Sequence, residues 1–172
     1  MKQSLERSIT CLVEQVFTQS TNEPLRFLNL KEVSELLKIS EPCLVVLKPH
    51  FLENPEIYDF LTHMIQNFDL NILKKERINI TRDNVFDLYG DLLEVIRSGP
   101  DGEIFVENLV SSFVDGDESL VMIVYGRECY SRMVKTKRLL RERWSEGGAE
   151  NVIHCSDNVA DAIREITAFL HD

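Results

Sequence analysis

The chain has 172 residues, 44% apolar and 28% charged, and a formal net charge of −10 at neutral pH. That length suits one well-buried domain with an appendage and is too short for two ordinary domains, while the composition leaves little room for a long disordered tail. The acidic balance makes nucleic acid an unlikely partner, yet it leaves room for a local cationic pocket that holds nucleotide phosphates. Cys11, Cys43, Cys129 and Cys155 are far apart, form no C-x-x-C pair and make no metal-like grouping with His50, His63, His154 and His171, so reduced thiols are expected. The start has no signal-like apolar region, and no window approaches the roughly 18 apolar residues of a membrane span; a cytoplasmic protein away from membranes is expected.

Leu5, Ile9, Leu12, Val13, Val16 and Phe17 share one side of a helix over 4–19, and Leu30 to Ile39 suggests a second, with Pro24 between them. Residues 1–41 therefore read as a helical N-terminal extension whose apolar stripe needs cover, from the domain surface or from a protein partner. The main domain, 42–172, opens with Cys43-Leu44-Val45-Val46-Leu47, an apolar run of strand length. Pro55 suits a first helical turn, and Ile57, Phe60, Leu61, Met64, Ile65 and Phe68 follow at i, i+3, i+4 and i+7. Leu70 to Ile80 reads as the second strand. Thr81 or Asp83 can then cap a helix through about Arg97, although Gly90 weakens it.

After the turn cluster at 98–102, Ile104 to Phe113 predicts a short helix, and Asp115-Gly116-Asp117 a turn. Leu120 to Tyr125 is the third strand. Next come a basic helix from about Cys129 to Trp144, a Gly147-Gly148 turn, a short fourth strand with Val152 and Ile153, and a final helix capped by Ser156 or Asp157. The order β-α-β-(helices)-β-α-β-α suits an α+β, ferredoxin-like sandwich with a four-stranded, mainly antiparallel sheet. A doubly wound parallel sheet is the other option, but Lys48-Pro49-His50 stands where a Gly-rich phosphate loop would follow the first strand.

His154 is the candidate nucleophile, because a neutral imidazole can attack phosphorus near neutral pH without a metal-bound water. Glu165 on the following helix is a candidate to hold its other ring nitrogen. Taken singly, each candidate also has a plain structural account: His154 as a half-buried strand residue, Glu165 as a solvated helix residue, and the basic helix as a solvated face.

The stretch Asn151-Val152-Ile153-His154-Cys155-Ser156-Asp157 resembles the active-site motif of nucleoside diphosphate kinases, Asn-Ile-Ile-His-Gly-Ser-Asp. Other elements recur in the family's order over about 42–172. Leu47-Lys48-Pro49 resembles the step holding a phosphate-contacting lysine, Tyr89 the tyrosine near the active histidine, and Phe105 the phenylalanine that stacks on the base. Val134-Lys135-Thr136-Lys137-Arg138 resembles Val-Lys-Thr-Gly-Arg, whose arginine touches phosphate, and Glu165 lies at the family's spacing after the histidine.

The resemblance implies transfer of a terminal phosphoryl group from ATP or another nucleoside triphosphate, through phospho-His154, to an acceptor such as a nucleoside diphosphate. Lys48 and Arg138 would offset phosphate charge, Glu165 would orient the imidazole, and Tyr89, Asn151 and Ser156 would fix geometry. Mg2+ would travel with the nucleotide.

The chain departs from the family in several places. Only Leu139 to Glu150 separate the two motifs, so a long loop with a threonine and a second phosphate-binding arginine is missing, and Arg141 or Arg143 are candidates to replace that arginine. The loss also removes a contact typical of family hexamers, which leaves a homodimer or a monomer. Cys155 replaces a glycine and places a side chain beside the nucleophile. Residues 95–118 are longer than their counterpart. The other expectation, from a different class, is a catalytically degenerate module that binds nucleotide or a protein partner.

Overall fold

β1 (Glu41–Leu47) is buried from Pro42 to its end, as a strand with neighbours on both edges and cover on both faces must be. In the computed structural model, which describes residues 41–90, 92–114, 118–145 and 151–169, β1 pairs antiparallel with β3 (Ser119–Gly126) on one side and β4 (Ile153–Cys155) on the other. β2 (Asn71–Ile78) pairs antiparallel with the far edge of β3, giving the order β2-β3-β1-β4. The expected helices over 4–19 and 30–39, and the turns at 115–117 and 147–148, lie outside the described residues.

Alternation along the central strands builds two cores. Leu44, Val46, Val121 and Ile123 face one layer, formed by α3 (Arg82–Tyr89), α4 (Leu92–Arg97), α5 (Gly102–Val114) and α7 (Val159–Ala168). Val45, Leu47, Met122 and Val124 face the other, formed by α1 (Pro49–Leu52), α2 (Pro55–Asn67) and α6 (Cys129–Trp144). This is the expected ferredoxin-like α+β sandwich, with every strand pair antiparallel. Among the described residues, no helix is long and apolar enough to cross a membrane.

Two local expectations change. The single helix expected from 81 to about 97 is two helices, because Gly90 takes φ +51° and ends α3 there. Its start follows expectation: the Thr81 hydroxyl accepts from Asn84 N–H, and the Asn84 side chain accepts from Thr81 N–H. The last helix is capped by Asn158, which accepts from Asp161 N–H, and not by Ser156 or Asp157. Ser156 is withdrawn from capping because its hydroxyl is engaged with β1.

Arg164 on α7 closes the α3 terminus, donating to the carbonyls of Asp87 (3.2 Å) and Leu88 (3.0 Å). A Cβ at Gly90 would sit 3.4 Å from Arg164 Nε in a backbone region that L side chains avoid. Gly90→Ala should therefore lower stability by about 1–2 kcal/mol in urea unfolding; an unchanged midpoint would show that the turn tolerates a side chain.

Candidate active site

β4 has only three residues, all buried, and their alternation determines the site. Ile153 and Cys155 join the core under α2 and α6, and Cys155 Sγ lies 3.6 Å from Met133 O on α6. His154 therefore points to the opposite face, where its ring meets Tyr89 edge-on, with centroids 5.2 Å apart at 61°. The expectation that Cys155 places its side chain beside the nucleophile is thus corrected: the strand pleat sends its thiol to the other side of the sheet. Cys43, Cys129 and Cys155 are free buried thiols, and burial pushes the Cys43 thiol well above its ordinary value.

Behind the imidazole stands Glu165, 2% exposed, with Oε1 3.0 Å from His154 Nε2. The contact has ion-pair length, but the ring N–H direction is not aligned for a hydrogen bond. The other carboxylate oxygen accepts a 2.6 Å bond from Ser156 Oγ. Ser156 in turn is fixed to β1: its hydroxyl oxygen accepts from Leu44 N–H (3.0 Å), and its own N–H donates to Leu44 O (3.1 Å). A line thus runs from the β1 backbone through Ser156 and Glu165 to His154. A proton on Nε2, facing the carboxylate, leaves Nδ1 with its lone pair.

Lys48 follows β1 with the same parity as Leu44 and Val46, and Val46 is the register partner of His154. Its ammonium therefore lies on the His154 face, fully buried, donating to Ser112 Oγ at 2.6 Å and lying 4.4 Å from the Phe113 ring centroid. The Ser112 hydroxyl in turn donates to Leu109 O (2.6 Å).

Tyr89, placed by the closed end of α3, packs against Phe113 as well as His154. Its hydroxyl is buried without a hydrogen-bond partner among the described residues, and burial pushes the phenol well above its usual range. Asn151 precedes β4 and accepts from Arg141 Nη2 at 3.1 Å. Phe105 lies 36% exposed on α5, beside exposed Ile104. Arg138 is exposed on α6 and makes no hydrogen bond or ion pair among the described residues.

The structure therefore brings His154, Glu165, Ser156, Lys48 and Tyr89 to one face of the sheet and places Asn151 at the edge of β4. Among the described residues, no hydrogen bond, ion pair or ring contact ties Phe105 or Arg138 to that group. Sequence reasoning missed Ser112 and Lys137. Ser112 is a serine on the apolar face of α5, between Leu109 and Phe113, and Lys137 falls on the Met133 and Leu140 side of α6; a polar residue inside each helical stripe was the available signal. Among the described residues, no group of three His, Cys, Asp or Glu side chains could hold a metal ion.

No protein-family model matches the chain, and no curated protein matches it. Solved structures do. A nucleoside diphosphate kinase from Aquifex aeolicus superposes with a TM-score of 0.59 at 20% identity, covering 77% of this chain and 96% of its own. An NDP kinase from Pyrobaculum aerophilum gives 0.58 at 19%, covering 77% and 97%. A Borrelia burgdorferi nucleoside-diphosphate kinase, solved as a transition-state mimic with bound vanadate and ADP, gives 0.59 at 19%, covering 78% and 89%. At these identities the likeness is one of fold.

Two substitutions separate the structural parts of this site. Ser156→Ala strands the Leu44 N–H and one Glu165 oxygen and should cost about 1–3 kcal/mol in urea unfolding. Tyr89→Phe removes a hydroxyl that makes no hydrogen bond among the described residues and should leave the midpoint unchanged or higher; a loss above about 1 kcal/mol would mean that the hydroxyl has a structural partner.

Proposed function

We propose that the protein is a phosphotransferase that moves the terminal phosphoryl group of a nucleoside triphosphate to a nucleoside diphosphate through phospho-His154. One observation carries the proposal: a buried carboxylate, its second oxygen held by Ser156, stands 3.0 Å behind a buried imidazole. A carboxylate at Nε2 favours the tautomer with a nucleophilic Nδ1 and stabilises the positive charge that builds on the ring as a bond to phosphorus forms.

In the first half-reaction, Nδ1 attacks the γ-phosphorus, the bond from that phosphorus to the β–γ bridging oxygen breaks, and the nucleoside diphosphate leaves with both bonding electrons. In the second, a terminal oxygen of the acceptor diphosphate attacks the phosphohistidine, and Nδ1 recovers its lone pair. Lys48, on the same face, supplies fixed positive charge near the transferring oxygens, and its burial strengthens that effect. Ser112 and Phe113 hold the ammonium in place between turnovers. Magnesium enters as part of the nucleotide substrate. Ile104 and Phe105, exposed on α5, offer apolar surface to a base, and Arg138, exposed on α6, is available to phosphate.

Incubation with magnesium and γ-labelled ATP should give an acid-labile, base-stable label on the wild type and none on His154→Ala. Glu165→Gln should slow labelling by roughly 10–100-fold, the usual cost of losing a group that orients a reactive histidine. A wild type that takes no label would remove the covalent mechanism; label that survives His154→Ala would place the nucleophile elsewhere.

A further inference from the structure

Glu165 is held from three sides, and the third partner is its own neighbour in the chain. Ser156 occupies one carboxylate oxygen, and His154 Nε2 lies 3.0 Å from the other. Arg164 Nη2 lies 3.5 Å from that second oxygen as well. Side chains of consecutive helical residues leave the axis about 100° apart and do not face each other, so the periodicity of α7 does not by itself create this pair. Something outside α7 turns the guanidinium back over Glu165.

That element is the open end of α3. The last carbonyls of a helix lack intrahelical donors and carry the negative end of its dipole. Arg164 Nε donates to Asp87 O (3.2 Å) and Nη2 to Leu88 O (3.0 Å), while Nη1 donates to Asp161 Oδ1 (2.9 Å), one turn back on α7. Nearer the start of α3, Asn84 Nδ2 donates to Ala168 O (3.3 Å), so the two helices are tied at two places. α3 ends at Tyr89, whose ring meets the imidazole edge-on. One guanidinium therefore touches both the carboxylate behind His154 and the helix end that sets a ring beside it.

A buried carboxylate keeps its charge only where hydrogen bonds and positive charge replace water, and a neutral histidine supplies a ring N–H but no charge. Among the described residues, Arg164 is the permanent cation within ion-pair distance of Glu165. Its side chain is 43% exposed, so the guanidinium stays hydrated on one side while Nη2 faces the carboxylate. A protonated carboxyl would instead donate to Nε2, and the ring proton would then sit on Nδ1, where it blocks attack. We propose that Arg164 is a positioning residue of the His154 site: anchored on the α3 carbonyls, it keeps Glu165 charged and so keeps the imidazole lone pair on Nδ1. The proposal rests on the phosphotransferase reading for the step it serves, but the state of the ring is measurable without substrate.

The experiment is NMR of the His154 ring nitrogens on the isotope-labelled full chain, assigned with His154→Ala, together with labelling by γ-labelled ATP over a range of ATP concentrations. Arg164→Gln keeps an N–H donor for the α3 carbonyls and removes the charge, and Arg164→Lys keeps the charge. In the wild type, Nε2 should carry the proton. Arg164→Gln should move the ring resonances towards the Nδ1-protonated form and slow labelling at saturating ATP by roughly tenfold, with the half-saturating ATP concentration unchanged. Arg164→Lys should restore most of both. In a Glu165→Gln background, Arg164→Gln should change neither, because a residue that acts through another adds nothing once that other is gone.

If Arg164→Gln does not fold, Arg164→Met, which fills the space without charge, takes its place. Ring resonances that ignore the loss of the charge would overturn the proposal. So would an equal effect with and without Glu165→Gln, which would make Arg164 a structural tie of α3 and nothing more. The two readouts also separate this proposal from the one beneath it: label on a wild type whose ring and rate do not depend on Arg164 removes Arg164 alone. An Arg164-dependent ring in a protein that takes no label keeps the positioning role and removes phosphoryl transfer.

Discussion

Glu165 is an ionisable carboxyl placed under an apolar layer, and the rest of the site is arranged around the cost of keeping it there. An isolated buried carboxylate is unfavourable by several kcal/mol, so it persists only where hydrogen bonds and positive charge replace water. Here one oxygen takes the Ser156 hydroxyl, and the other lies near both His154 Nε2 and Arg164 Nη2, at 3.0 and 3.5 Å. Ser156 can serve because its oxygen is already held by the backbone of β1. The orientation of the histidine is therefore inherited from the most deeply buried strand of the molecule, and a change that loosens β1 against β4 would be felt at the imidazole.

The same logic explains why so short a strand suffices. Three residues offer few ladder bonds, and an edge strand of that length would fray if its outer carbonyls had only water as a partner. Lys137 and Arg141 replace the missing neighbour, and each is partly desolvated by doing so. The overall charge of −10 is no obstacle, since the field that matters is local: Lys48 is buried on the site's face and Arg141 lies at the edge beside it.

Much of this was legible in the sequence, and the boundary of legibility is physical. The two apolar strands, the Pro55 helix and the basic helix follow from periodicity, because each has a long stripe or run. The break at Gly90 was visible only as a weakness, since whether a glycine bends a helix depends on what closes the end, and Arg164 lies far along the chain. His154, Glu165 and Ser156 were singled out through the motif they share with the resembled family, but the direction of Cys155 was misjudged because adjacency in sequence means opposite faces in a strand. Periodicity could not assign Ser112 to Lys48 either, as that contact joins the end of a strand to a helix 64 residues later.

The step most hidden from the sequence is the one that distinguishes Arg141 from its neighbours. Around α6 the basic residues recur so often that composition gives each an equal claim to support β4, and only the contact with Asn151 and Ile153 sets Arg141 apart. α6 ends at Ser145, whose extended backbone turns the chain away and whose hydroxyl accepts the N–H of Val152 at 3.1 Å. That clip brings Asn151 back beside the last turn of α6, and Arg141, four positions before Ser145, is the basic residue that meets it.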